Sequence, residues 1–287
     1  MNIPVVFTQK YRTKDIAQDY LGVALRQAQQ FNSEVVLVGD ENSTHFGGAF
    51  YPMADFFGEA AAFAPHYRHM CSNPYEFELY NLQEHFILKA LMQETGYDVI
   101  FSCDSDIMIY RDVSEVLPLV LGDCVAALTT TEYQPQYRWV SSGCNAFWTL
   151  RGIQDFCDLI MEMYTTADGI AKLKEKWDWH QSTGKPGGIC DMTLLWHFTL
   201  RYPTGNMVRV LTDGSTFDDN INSAEGIQPN EYEMESGMKH IDWMSGMPYG
   251  HNLRLDRPVR FNTLHFQGNL AKRRMAEYVV ERRMTDA

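Results

Sequence analysis

Two aspartates one residue apart, Asp104 and Asp106, are the side chains whose type and spacing point most directly to chemistry. They follow residues 99–101, a short β-branched and aromatic run that predicts a buried strand. Burying an unpaired charge is costly, so two carboxylates at the end of such a strand require a cation. Because carboxylate oxygens suit hard ions, the pattern indicates a site for Mn²⁺ or Mg²⁺.

The composition narrows the class of protein. The chain has 287 residues, and its hydrophobic fraction of 45% is ordinary for a globular core. A formal net charge of −13 argues against a nucleic-acid binder, which would carry a basic face. Six cysteines without a C-x-x-C pair indicate buried thiols in a reducing compartment. The N-terminus has no signal-peptide pattern and no apolar run approaches the ~20 residues of a membrane span, so we expect a soluble, cytoplasmic protein.

The N-terminal part of the sequence predicts a βαβ unit. Residues 4–9 form a predicted strand, Asp15 to Phe31 an amphipathic helix, and residues 34–40 a second strand. This spacing makes the two strands parallel neighbours. No Gly-x-Gly-x-x-Gly follows the first strand, so the dinucleotide-binding fingerprint is missing.

Polar side chains follow both of these strands. Thr8, Gln9 and Asp40 lie at the C-terminal strand ends, where open parallel sheets bind ligands. We therefore predict that they hold a nucleoside. Tyr11, just beyond, is either a residue that stacks on the base or a surface aromatic.

The rest of the chain continues the alternation of helices and strands. Residues 203–257 are rich in Gly, Asn, Asp and Pro, which predicts a lid or binding surface with little regular structure. The other predicted elements are helices over 76–94, 113–121, 152–164 and 273–283, and strands over 123–129, 139–150 and 208–211.

The residues around the aspartate pair resemble a known family. Tyr75 to Asn81, His85 to Leu91 and Tyr97 to Asp106 are similar to the stretch that precedes the Asp-x-Asp motif in bacterial glycosyltransferases with the GT-A fold. The similarity extends in outline from residue 1 to about residue 275. It implies an α/β, GT-A type fold: one Rossmann-like domain with a central, mostly parallel mixed sheet flanked by helices. It also implies that Asp104, Ser105 and Asp106 bind a metal and a nucleotide sugar.

Two further stretches look like sugar-facing parts of such transferases. In residues 139–150, Gly143 would allow close approach of the backbone and Asn145 would offer donors and acceptors to the donor sugar. The alternative is a turn glycine and an ordinary strand asparagine. Asp191 opens a predicted helix after a glycine pair, and it is a helix cap, a functional acid, or both.

The C-terminal segment resembles the closing His-x-x-Gly-x-x-Lys element of retaining GT-A transferases of the glycogenin type. The resemblance implies that His265 completes the metal ligands, that Gly268 lets the backbone approach phosphate, and that Lys272 neutralises the pyrophosphate. Lys272 lies one residue later than in that pattern, so the adjacent Arg273 or Arg274 could take its place.

These parts together predict a metal-dependent hexosyltransferase. It would move a sugar from a nucleoside diphosphate sugar, with a UDP-sugar favoured, to a hydroxyl of a glycan or small-molecule acceptor. Asp191 and Asn145 would act at the sugar. The closing element favours retention, although Asp191 could serve as the base of an inverting reaction. The alternatives are a nucleotidyltransferase of related fold and a non-catalytic, cation-dependent sugar-binding protein.

We expect one domain over residues 1–287. Its nucleotide-binding half would span residues 1–110 and its sugar and acceptor half residues 111–275. Residues 276–287 would form a C-terminal helix or tail.

Overall fold

The computed structural model describes residues 2–10, 19–46 and 48–280. Its strands are β1 (Val5–Gln9), β2 (Val35–Gly39), β3 (Ala49–Pro52), β4 (Val99–Cys103), β5 (Ile107–Ile109), β6 (Ala126–Thr129), β7 (Ser142–Thr149), β8 (Thr204–Asn206), β9 (Ser215–Thr216), β10 (Met234–Glu235), β11 (Met238–Lys239), β12 (Asp242–Met244), β13 (Met247–Asn252), β14 (Arg257–Phe261) and β15 (Thr263–His265). Its α-helices are α1 (Asp19–Phe31), α2 (Gly58–Phe63), α3 (Tyr75–Thr95), α4 (Val113–Val120), α5 (Leu150–Thr165), α6 (Ala167–Thr183), α7 (Asp191–Arg201) and α8 (Asn269–Lys272).

A seven-stranded mixed sheet lies at the centre of the described residues, in the order β3-β2-β1-β4-β7-β6-β8. Its strand pairs are parallel except where β7 runs antiparallel to β4 and to β6. The parallel pairing of β1 with β2, connected through α1, confirms the predicted βαβ unit. The α/β class and the mostly parallel sheet are therefore as the sequence predicts.

Helices cover both faces of this sheet. Successive residues of β1 point to opposite faces, so Val5 and Phe7 join one apolar core while Val6 joins the other. The first core includes Leu21 of α1, and the second includes Leu82 of α3. Burial on both faces explains why the inner strands are continuous apolar runs rather than alternating ones.

Helix boundaries follow local signals in the sequence. α3 ends at Gly96, which adopts a φ of +74° and lets the backbone leave the helix. The side chain of Asp112 accepts a hydrogen bond from the backbone N–H of Ser114 at the start of α4. Thr149 does the same for Gly152 at the start of α5. The predicted helices over 76–94, 113–121 and 152–164 are confirmed with small shifts of their ends.

The segment 203–257 is more regular than predicted. β12, β13, β14 and β9 form a four-stranded sheet, and β12 and β13 are joined by a two-residue turn. That turn is Ser245-Gly246, in which both residues have positive φ, so the short strand signals were hidden between turn residues. The strand predicted at 208–211 is wrong, because the backbone there turns and Leu211 accepts a hydrogen bond from Gly214.

The end of the chain also differs from the prediction. Residues 273–283 were expected to form one basic helix, but α8 ends at Lys272 and a single 3₁₀ turn follows at Met275–Tyr278. Packing outweighs helix propensity here. Met275 is buried, and the backbone carbonyl of Tyr278 accepts a hydrogen bond from the hydroxyl of Tyr110. Residues 281–287 lie outside the described residues.

Gly188 fixes the approach to α7 and gives a test of the fold. Its φ is +140°, and a Cβ atom there would lie 2.2 Å from the backbone oxygen of Met70. We expect Gly188→Ala to destabilise the protein by about 2 kcal/mol or more, because the clash is with backbone. Gly58→Ala is the matched control, since a Cβ there meets no atom within 4 Å. Equal unfolding midpoints in urea for the two variants would contradict this account.

Candidate active site

A cleft of about 680 Å³ opens at the C-terminal ends of β1 and β4. This is the edge of a parallel sheet where ligands bind. The cleft is completed by Tyr20 of α1, one face of α3, the starts of β7 and α7, and the end of β15 with the chain after it. The lining residues used below are Thr8, Gln9, Glu78, Tyr80, Glu84, His85, Asp104, Ser105, Asp106, Gly143, Cys190, Asp191, His265, Gly268 and Lys272.

The structure brings Asp104, Asp106 and His265 together at one end of this cleft. One ligand atom of each lies within 4.8 Å of those of the other two. Asp104 follows β4, where its backbone N–H donates to the carbonyl of Cys144 at 2.8 Å. His265 arrives by antiparallel pairing of β15 with β5, in which it stands opposite Ile107. That register places the imidazole beside Asp106.

The hydrogen bonds of His265 suit a metal ligand. Its Nδ1 contacts the backbone carbonyl oxygen of Asp219, which can only accept, so Nδ1 carries the proton. Nε2 then faces Asp106, 3.5 Å from its Oδ1. A second partner that fixes the ring in this way is typical of histidine ligands. Two carboxylates and one imidazole nitrogen, mostly buried and confined to a few ångströms, fit a divalent cation such as Mn²⁺.

A buried ion pair supports the strand that carries His265. Asp218 accepts a 3.0 Å hydrogen bond from the backbone N–H of His265 through Oδ2. Its Oδ1 lies 2.7 Å from Nζ of Lys239, and the two side chains are 0% and 1% exposed. Because every partner here is buried, the position of the imidazole is tied to the core of the protein.

The charges in this cluster are unevenly compensated. Burial raises the pKa of Asp104 to about 8, and the neighbouring carboxylates of Asp106 and Glu84 add to the shift. Burial also acts to raise the pKa of Asp106, but His265 and Lys272 outweigh it and lower that pKa. Nζ of Lys272 lies 3.0 Å from Oδ2 of Asp106. Asp104 is therefore the carboxylate that gains most from an added cation.

Six of the other predicted site residues line the cleft. Thr8, Gln9, Ser105, Gly143, Gly268 and Lys272 line the cleft, and the hydroxyl of Thr8 donates to Glu84. Gly143 lies within β7 rather than in a turn, and a Cβ there would lie 3.2 Å from Cδ1 of Leu195. Tyr11 falls outside the described residues.

Asn145 and Asp40 do not line this cleft. Asn145 is completely buried, donates to the carbonyl of Asp218 at 3.2 Å and accepts from the hydroxyl of Thr263 at 3.4 Å. It ties β7 to the segment that carries His265, which corrects the prediction that it orients the donor sugar. Asp40 directly follows β2, which ends at Gly39, and its carboxylate accepts from the backbone N–H of Asn42 at 3.1 Å.

Asp191 faces the cleft from the first turn of α7. The helix begins after Cys190, which makes no side-chain capping bond, so Asp191 is the first helical residue rather than the cap. Burial raises its pKa to about 7, and the carboxylates of Glu78 and Asp104 add to the shift. A carboxylate with a pKa near 7 can take or give a proton at physiological pH.

The α3 wall of the cleft contains acids that the sequence reading missed. Burial raises the pKa of Glu84 to about 7. Repulsion by Asp191 adds to this shift, whereas the hydrogen bond from Thr8 opposes it. Burial lowers the pKa of His85 to about 3, so the ring stays neutral. Glu78 and Asn81 are followed at helical spacing by Glu84 and His85, and this polar stripe was the available signal.

The raised pKa of Asp191 predicts a pH-dependent stability difference. The folded carboxyl titrates near 7 against an ordinary value of 3.8, so the wild type loses stability as pH rises between these values. We expect Asp191→Asn to raise the free energy of unfolding by roughly 2 kcal/mol at pH 8 and far less at pH 4.5. Urea unfolding in EDTA measures this, with Asp178→Asn on the exposed face of α6 as control. A gain that is equal at both pH values would contradict the assignment.

No model of a protein family matches this chain, and no curated protein sequence matches it. Among solved structures, apo mouse xyloside xylosyltransferase 1 is similar over 77% of this chain and 88% of its own, with 12% identity and a TM-score of 0.52. Galactosyltransferase LgtC with donor and acceptor sugar analogs is matched over 96% of this chain and 95% of its own, with 14% identity and a TM-score of 0.44.

The bifunctional glycosyltransferase WbbM is matched over 97% of this chain but only 50% of its own length, with 10% identity and a TM-score of 0.48. None of the helices in the described residues has the length and apolar character needed to cross a lipid bilayer. The similarity to the mouse structure covers most of both chains and agrees with the mixed α/β sheet described above. This chain has the GT-A fold of glycosyltransferases.

Proposed function

We propose that this protein is a metal-dependent glycosyltransferase. It moves a hexose from a nucleoside diphosphate sugar, with a UDP-sugar favoured, to a hydroxyl group of a glycan or small-molecule acceptor. The observation that carries the proposal is the meeting of Asp104, Asp106, His265 and Lys272 at one end of the cleft. A pyrophosphate leaving group needs this concentration of cation ligands beside a fixed ammonium group.

The leaving-group end of the cleft has a defined set of residues. Asp104, Asp106 and His265 would hold Mn²⁺ or Mg²⁺. The bound ion supplies positive charge that stabilises the departing diphosphate. Lys272 adds a second positive charge beside Oδ2 of Asp106. Gly268 has a φ of +85° and no side chain, so a phosphate can approach the backbone there.

The sugar end of the cleft contains the proton-transfer groups. Transfer breaks the bond from C1 of the sugar to phosphate oxygen, forms a bond from C1 to the acceptor oxygen, and releases the hydroxyl proton. Asp191 and Glu84 are carboxylates with pKa values near 7 that can receive that proton. Their negative charge also favours the oxocarbenium-like transition state. We include retention of configuration in the proposal on the resemblance of the closing element.

Asp104 gives the sharpest test of the metal site. We expect Asp104→Asn to weaken Mn²⁺-dependent binding of UDP or GDP about a hundred-fold, because one of the metal ligands is lost. The variant should fold at least as stably as the wild type, since burial and two neighbouring carboxylates oppose the charge of Asp104. Calorimetric titration with and without Mn²⁺ measures binding, and thermal unfolding measures stability.

Asp98→Asn is the matched control for this experiment. Asp98 is exposed, precedes the same strand and does not line the cleft, so its variant should bind like the wild type. Unchanged metal-dependent binding in Asp104→Asn would sink the metal assignment. Release of pyrophosphate from a nucleoside triphosphate and a sugar 1-phosphate would identify a nucleotidyltransferase instead.

A further inference from the structure

A second group of acids lines the same cleft as the aspartate pair and shares no residue with it. The ligand atoms of Glu78, Cys190 and Asp191 lie within 4.8 Å of one another. Glu78 comes from α3 and is 1% exposed, whereas Asp191 opens α7. The carboxylate of Glu84 raises the local negative charge further, because it is close enough to Asp191 for mutual repulsion. Three carboxylates therefore face one part of the cleft.

Polar atoms at this end are left without partners. Oε1 of Glu78 accepts from Nδ2 of Asn73 at 2.6 Å, but Oε2 is buried and has no hydrogen-bond partner among the described residues. Nδ1 of His85, a residue 6% exposed that lines the same cleft, also has none. Buried polar atoms in proteins are nearly always hydrogen-bonded. With the hydroxyl of Tyr80, three such exceptions belong to described residues that line this cleft, which indicates groups that a ligand completes.

The charge of these acids is also uncompensated. Within the part of the chain that the structure describes, no Lys, Arg or His nitrogen lies within 4.0 Å of a carboxylate oxygen of Glu78, Glu84 or Asp191. Lys272 is engaged with Asp106, and Lys176 donates to Thr193 and to the carbonyl of Arg138. A metal ion at the aspartate pair would be matched by the diphosphate that it holds. A cation that binds beside Glu78 and Asp191 would compensate the charge of these acids directly.

The spacing of the acids suits an ammonium group. Charge-assisted N–H···O bonds are about 2.8 Å long, so a tetrahedral ammonium nitrogen can bond two carboxylate oxygens about 4.6 Å apart. The ligand atoms of Glu78 and Asp191 lie within 4.8 Å of each other, close enough for one ammonium group to bond both. A second metal ion bound by all three residues would have to displace the proton of the Cys190 thiol, whose pKa is raised by burial and by the charge of Asp191. A protonated thiol is a poor metal ligand.

We infer that Glu78 and Asp191 form a subsite for a primary ammonium group on a substrate, so that this transferase acts with an amino sugar and Glu84, rather than Asp191, receives the acceptor proton. The ammonium can belong to the acceptor or to the donor sugar, since both occupy the cleft during transfer. The inference rests on the proposed function for the identity of the cleft, and it specifies the substrate class that the function leaves open.

Binding measurements with matched sugars test this subsite. The acceptor probes are methyl glycosides with a free amine at C2, C3, C4 or C6, each with its hydroxyl and N-acetyl counterparts. The donor probes are UDP-glucosamine, UDP-glucose and UDP-N-acetylglucosamine in the presence of Mn²⁺. We expect at least one amine to bind about ten-fold or more tightly than both counterparts, as charge-assisted hydrogen bonds allow. The two sets of probes show which substrate carries the ammonium.

Glu78→Gln should abolish this preference while leaving UDP binding intact, because Glu78 is not part of the aspartate–histidine cluster. Glu76→Gln, exposed on the same helix, is the matched control and should keep the preference. Equal binding of amines and hydroxyls by the wild type overturns the inference, as does a second Mn²⁺ site that disappears in Glu78→Gln. Loss of metal-dependent UDP binding in the wild type would instead count against the proposed function.

Discussion

The antiparallel pairing of β5 with β15 is the interaction on which the candidate site depends. It joins residues 106 and 265, which are far apart in the sequence, and it does so with a fixed register, Thr263 to Ile109 and His265 to Ile107. A slip of one residue would turn the imidazole to the opposite face. All three residues of β15 are buried, and so are those of β5, which makes such a slip costly.

The site assembled by this pairing opposes the stability of the fold. Asp104, Glu84 and Asp191 each have a pKa raised to between about 7 and about 8, with burial as the largest cause. Such clustering is tolerated because two apolar cores, one on each face of the sheet, hold the strands in place. A cationic ligand stabilises such buried carboxylates when it binds. Their charge therefore lowers the stability of the unliganded protein and also provides its affinity for a cation.

Much of this arrangement could be predicted from the sequence, and the rest could not for physical reasons. The βαβ unit, α3 and the strand before Asp104 each have a strong periodic signal, and the sequence placed His265 and Lys272 near the aspartate pair by their motif. The role of Asn145 was misjudged because its surroundings cannot be read from the sequence. It pairs with Cys103 at the end of β4, and its side chain bonds to Thr263 of β15 instead of lining the cleft. Glu78 and Glu84 were missed because helical spacing identifies a polar face but not what that face meets.

The central claim is that Asp104, Asp106 and His265 bind one divalent ion that holds a diphosphate. A crystal structure of the protein with Mn²⁺ and UDP, using the anomalous signal of manganese, tests it most directly. We predict a single strong anomalous peak within about 2.5 Å of both carboxylates and of Nε2 of His265, in contact with the diphosphate. A bound nucleotide with manganese elsewhere, or with no manganese between these residues, would contradict the account.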